Sequence, residues 1–140
     1  MTTAMSSTTA KPPKPLRMNQ KAVLMPVAQF AAWYTIASAT AGLTDLDRAV
    51  LEAIAGYYRR LQAEGFASFP SIERMALDCG TRTIDISGAI KNLIGLALIA
   101  VRPGSGPRRN EYLLALPKRV AASMLAAAAE ERSAEEDQQG

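Results

Sequence analysis

The chain has 140 residues, of which 49% are apolar, 21% charged and 6% aromatic, with a formal charge of +3. That suffices for one small domain with tails, built on a single core without metal or disulfide staples. It contains no histidine and one cysteine, Cys79, which excludes Ser/His/Asp and Cys/His nucleophile arrangements, nearly all catalytic zinc sites and an intramolecular disulfide. There is no G-x-x-x-x-G-K-[ST] string, and Gly104-Ser105-Gly106 lacks the third glycine of a dinucleotide loop. The expectation is therefore a chain that is not an enzyme, takes no cofactor and no metal, and works in a reducing, cytoplasmic setting.

Residues 1–21 carry Lys11, Lys14, Arg17 and Lys21 and no acid, in a Thr/Ser/Pro-rich stretch with little to bury. They read as a disordered basic arm. Residues 22–117 are nearly balanced in charge, and residues 118–140 hold an excess of acid. A basic arm, a neutral domain and an acidic end form a layout common in nucleic-acid binders, and equally that of a domain with solvated tails.

The uncharged stretch Ala22 to Thr44 superficially resembles an export signal or a membrane span, but Pro26 and Gln29 interrupt it and alanine supplies much of its apolar content. It reads better as a strand, Ala22 to Met25, and a helix that starts at Pro26 or Val27 and is closed by Gly42. In the next helix Leu46, Ala49, Val50, Ala53, Ile54, Tyr57 and Leu61 recur at helical spacing. Thr44 caps it, Asp45 and Asp47 suit the positive end of its dipole, Arg59 and Arg60 lie near its far end, and Gly65 stops it. Trp33, Tyr34, Tyr57 and Tyr58 read as core or interface residues, not as platforms for stacked bases.

Ser71 caps a short helix with Ile72, Met75 and Ala76 at core spacing, ending at Asp78-Cys79-Gly80, where glycine supplies the left-handed turn. Cys79 reads as a small buried hydrophobe. Thr81 or Thr83 caps a second helix with Ile86, Ala89, Ile90 and Leu93 inward. Two helices joined by a short glycine turn are a helix-turn-helix signature. Leu96 to Arg102 and Glu111 to Leu116, separated by the turn-rich Pro103 to Asn110, then form a β-hairpin, which in that position is a wing. The expected fold class is mainly α with a small β-hairpin: a winged helix-turn-helix over residues 22–117.

Phe69-Pro70-Ser71, Met75-Ala76, Gly80, Ile86, Ala89-Ile90, Leu93, Leu96 and Leu98-Ile99 resemble the winged-helix family found in plasmid and phage replication initiators and related small regulators. The strand, helix and Gly42-Leu43-Thr44 lead-in are also similar. The resemblance implies sequence-specific binding of double-stranded DNA in transcription control or replication initiation. Candidate DNA-contacting residues are Ser71, Thr81, Arg82, Thr83, Ser87, Gly88, Lys91, Arg102, Arg108, Arg109 and Asn110.

The second helix departs from that family in carrying few outward bases: its outer residues are Arg82, Ile84, Asp85, Ser87, Gly88 and Lys91. Asp85 would repel phosphates unless it accepts from a cytosine amino group, and Gly88 either lets backbone approach DNA closely or marks a helix that never meets it. The rival reading is an interaction adaptor whose groove face binds protein, with the loop arginines there for solubility. A membrane-tethered regulator is a third. Residues 118–140 comprise an alanine-rich helix and an acidic tail. Lys118 and Arg119 oppose the helix dipole, so the helix needs a partner for Val120, Met124 and Ala127 or Ala128. That partner is either the domain itself or a second copy, with residues 27–40 as another homodimer surface.

Overall fold

In the computed structural model, which describes residues 16–103, 110–124 and 126, Pro26 is extended and leads into a single 3-10 turn, Val27–Gln29. Helix α1, Phe30–Ser38, follows. It begins later than expected and stops short of Gly42: the last turn tightens, with Ala39 N–H on Ile36 O and Thr40 N–H on Ala37 O, both at 3.2 Å. The hydroxyls of Ser38 and Thr40 also donate to the carbonyls of Tyr34 and Ile36 at 2.6 and 2.9 Å. Arg48 donates to the Ser38 carbonyl at 2.9 Å, placing a cation at the negative end of α1.

Helix α2, Asp45–Glu64, has a reciprocal cap: the Thr44 hydroxyl accepts from Asp47 N–H and the Asp47 carboxylate accepts from Thr44 N–H, both at 3.0 Å. Its left-handed stop is Gly65, at φ 83°. The buried stripe comprises Val50, Leu51, Ile54, Ala55 and Tyr58, one position further round than the expected face. This central helix packs against α1 on one side and against α3, Ile72–Cys79, and α4, Thr83–Gly95, on the other. Leu46, Ala49, Ala53, Tyr57 and Leu61 border the stripe and are partly buried.

A three-stranded antiparallel sheet closes the core, in the order β1 (Ala22–Leu24), β3 (Asn110–Pro117), β2 (Ile99–Pro103). The expected hairpin is thus widened by β1, whose Val23 pairs with Leu116. Tyr112, Leu114 and Leu116 face the helices, while Ala22, Ala97 and Ala115 form a smaller cluster covered by Met18. The basic arm, expected to be disordered through residue 21, is placed from residue 16 onward. Arg17 and Val101 exchange backbone hydrogen bonds of 2.8 and 2.9 Å on the free edge of β2, and the Asn19 amide donates to Gly95 O. Backbone pairing fixes this segment where side-chain composition alone gave no reason for order.

Between α4 and β2, Leu98 N–H reaches Leu93 O and Ala97 N–H reaches Ile94 O, a left-handed helix stop with Ala97 at φ 63° in the place glycine normally takes. Leu93 and Leu98, both buried, supply the apolar contact that accompanies this stop. The completely buried Trp33 donates its indole N–H to Leu98 O and Ala115 O at 2.8 and 2.9 Å. Tyr58 donates to Tyr112 O at 2.5 Å, and burial pushes its phenol well above the ordinary tyrosine range, keeping it a neutral donor.

Residues 118–124 are helical. Ala121 is buried in the domain's own core, with Val120 and Met124 packed beside it, while Ala127 and Ala128 lie outside the described residues. Of residues 27–40, Phe30, Trp33 and Ala37 lie in the core, while Val27, Ala28, Ala31 and Ala39 are exposed. No helix among the described residues is long and apolar enough to cross a membrane.

Replacing Trp33 by Phe should lower stability by about 2–4 kcal/mol, since both indole hydrogen bonds are lost and the smaller ring leaves a void. Urea denaturation measures it, and a midpoint equal to the parent's would remove this bond from the fold's support.

Candidate functional site

Helices α3 and α4 are joined by Gly80-Thr81-Arg82. The Ser71 hydroxyl accepts Arg74 N–H at 3.0 Å and starts α3. Its end is a left-handed stop in which Gly80, at φ 65°, lets Gly80 N–H reach Leu77 O and Thr81 N–H reach Ala76 O. An L side chain at that φ would crowd its own backbone. Ser71 is thus the expected cap of α3, with its hydroxyl as acceptor. Cys79 is only partly buried at this turn, as a free thiol packed against the core edge.

Neither threonine caps α4. The N-cap residue is Arg82, extended at φ −90° and ψ 156°, and Asp85 accepts from its N–H at 3.3 Å. The same carboxylate accepts from the Thr81 hydroxyl at 2.8 Å and from the Arg82 guanidinium at 3.2 and 3.3 Å. Thr81, Arg82 and Asp85 thus form one locked group. The guanidinium and hydroxyl bonds hold the Asp85 carboxyl below the usual aspartate range, and Asp85 in turn raises the Arg82 guanidinium. The charge that would repel phosphates is ionised but already matched. The Arg82–Asp85 spacing of three residues is the sequence signal for this pair; the presence of two nearby threonines obscured it.

The inward face of α4 is as expected, with Ile86, Ala89, Ile90 and Leu93 all buried. Outward stand exposed Thr83, Ile84, Gly88 and Lys91 and half-buried Ser87. A Cβ on Gly88 would meet nothing within 4 Å, so no internal contact calls for glycine there. Lys91 pairs with no carboxylate among the described residues. Ile84, 68% exposed, stands among these outward residues although it is not one of the candidate contact residues. Its signal is its place on the helical wheel, opposite the buried stripe.

On the sheet, Arg102 donates to Glu111 across the two strands at 2.9 and 2.5 Å, and its side chain stays 51% exposed. Asn110 turns its amide toward the Tyr112 hydroxyl at 3.4 Å, and burial raises the Tyr112 phenol. Arg108 and Arg109 lie outside the described residues. The described site residues therefore divide into the outer face of α4, a hydrogen-bonded group at its start, and Arg102 on β2, paired with Glu111. An open groove of about 520 Å³ separates the sheet from the end of α2, bordered by Tyr57, Leu61, Phe69, Arg102 and Leu113. Its aromatic wall is structural, since Phe69 stacks on Tyr57 with ring centroids 3.5 Å apart.

Among the described residues there is no group of three or more Cys, Asp or Glu side chains able to hold a metal ion. Comparison with protein-family models, with curated proteins and with solved structures gives no match.

The lock at the start of α4 has a pH signature. A carboxylate whose pKa falls on folding stabilises above its ordinary pKa, and that contribution disappears as pH drops through the lowered value. Carboxyl NMR titration should place Asp85 below the ordinary aspartate range in the parent and move it upward in Arg82→Ala. Equal midpoints in both proteins would sever the pair.

Proposed function

We propose that this chain is a small winged-helix DNA-binding protein, with α3 and α4 as the helix-turn-helix pair, α4 as the groove helix and β2–β3 as the wing. The observation that carries this reading is the division of α4. One face is fully engaged in the core, while the opposite face, centred on Ile84, Gly88 and Lys91, is exposed, and a Cβ on Gly88 would meet nothing within 4 Å. Thirteen residues of helix span about 20 Å, enough to cross a major groove about 12 Å wide. The three-stranded order β1-β3-β2, with a hairpin directly after α4, supports the winged-helix assignment.

On this reading Thr83, Ser87 and Lys91 face base edges or flanking phosphates, and Gly88 allows close backbone approach. Thr81, Arg82 and Asp85 hold the start of α4 in place with their charges balanced. Arg108 and Arg109 of the wing, with Lys11 and Lys14 of the arm, add attraction for phosphates that carries no sequence information. The biological setting proposed is transcription control or replication initiation of plasmid or mobile-element type. A second reading, the protein-interaction adaptor, is favoured by one observation: Leu77 on α3 and Ile84 on α4 are 73% and 68% exposed, more apolar surface than a purely polar reader requires.

Gly88→Glu separates the two. The new side chain meets no internal atom, and leaving glycine favours the helix by about 0.5–1 kcal/mol, so thermal melting should show an intact fold. Binding to a site selected from random duplexes should be abolished in a gel-shift assay by clash and phosphate repulsion. A folded Gly88→Glu protein that binds that site as tightly as the parent would remove this face of α4 from the DNA contact, and a parent that selects no duplex would replace the DNA reading with the adaptor.

A further inference from the structure

Helical geometry turns each residue by about 100°, so Ile84, Gly88 and Lys91 fall within about 60° of one another. They lie opposite the buried stripe of Ile86, Ala89, Ile90 and Leu93. They are therefore the centre line of the face that α4 presents outward. Along that line Ile84 is the sole large apolar side chain, 68% exposed in the first turn of the helix. One turn on, Gly88 has no side chain, and a Cβ there would meet only open space. Ile84 thus stands beside a shallow step floored by bare helix backbone.

The groups next to it limit what it can recognise. Asp85 spends its acceptors on Thr81 and Arg82, and the Arg82 guanidinium is held by the same carboxylate. In this arrangement the Asp85 carboxylate and the Nε–Nη2 edge of Arg82 are turned to each other. A guanine is most often read by a bidentate Arg or Lys and an adenine by Asn or Gln. The first turn of α4 offers neither. What it offers is an apolar side chain and an empty step, and the major groove holds one apolar feature of matching size, the C5 methyl of thymine. The acidic surface that a protein partner would need to complement Lys91 is also the surface that duplex DNA supplies, through its phosphates.

We infer that Ile84 is a specificity-determining residue that packs on the C5 methyl of a thymine in the bound site, with Gly88 leaving room for that base edge. The inference rests on the DNA-binding reading above and deepens it: the preferred half-site holds an obligatory thymine under the first turn of α4.

The test removes the methyl and the isoleucine separately. A duplex selected by the parent is remade with deoxyuridine in place of each thymine in turn, and each version is bound by the parent, by Ile84→Ala and by Ile84→Leu. A buried methyl corresponds to about a fourfold change in affinity. At one position the substitution should weaken the parent about fourfold, leave Ile84→Ala unchanged, and weaken Ile84→Leu as it does the parent. Ile84 is exposed, so all three proteins should melt alike. If the parent binds its site and no deoxyuridine position distinguishes it from Ile84→Ala, the inference is overturned while DNA binding stands. If the parent selects no duplex at all, the DNA reading itself fails and the inference with it.

Discussion

The indole N–H of Trp33 joins three parts of the chain at one point. It donates to Leu98 O, at the exit from α4, and to Ala115 O, in the middle of β3, while Ala115 N–H donates to the same Leu98 carbonyl. Because Leu98 N–H turns back to Leu93 O, the Ala115 carbonyl has the indole as its donor, and the Leu98 carbonyl gains a second donor, both from a side chain that is itself completely enclosed. The consequence reaches well beyond α1. The exit of α4 is set by this junction and by the left-handed stop at Ala97, whose Cβ is tolerated among the small side chains of Ala22 and Ala115. With its exit fixed there and its start locked by Thr81, Arg82 and Asp85, α4 has a defined rotation about its own axis. That rotation decides which residues face outward.

The electrostatics of the outward face follow from the same economy of partners. Asp85 matches Arg82, and Glu111 matches Arg102, so two of the bases that sequence suggested for phosphates are already committed within the domain. Both pairs are largely exposed, and such pairs contribute modestly and weaken with salt; their value lies in geometry. They leave a helix face that is small, nearly neutral and apolar at its leading end. In the proposed function, long-range attraction then falls to Lys91, the wing tip and the arm, and discrimination falls to shape and apolar contact. The anchoring of Arg17 on the edge of β2 ties the start of the described chain to the strand that follows α4.

Much of the architecture was legible from local chemistry. Thr44 and Gly65 bracket α2, Ser71 and Gly80 bracket α3, and the Ile86, Ala89, Ile90, Leu93 stripe orients α4; each depends on a side chain or glycine acting within one turn of itself. The misses share the opposite property. The strand at Ala22 was expected, but its pairing with β3, the pairing of Arg17 with Val101 and the Tyr58 bond to Tyr112 join residues far apart in the chain, through backbone groups that every residue carries. Asp47, 1% exposed, looked like a dipole-favouring surface acid and is instead the buried half of a capping box. Thr81 and Thr83 were plausible caps by residue type, yet extended Arg82 took the position because the Asp85 carboxylate could bind its N–H and its guanidinium together. In the candidate site, the outer positions of α4 were legible from periodicity. The commitment of Arg82 and Arg102 to internal acids was not, because it depends on which side chains the fold brings within reach.

Backbone amide NMR spectra recorded while a selected duplex is titrated into the protein test the account most directly, because they report on every helix face at once. The account predicts that the largest shifts fall on Thr83 to Lys91 of α4, with smaller ones at the hairpin residues Arg102 and Asn110, and that α1 and the buried stripe of α2 stay still. Shifts confined to α1 and α2, or none at all at saturating duplex, would contradict it.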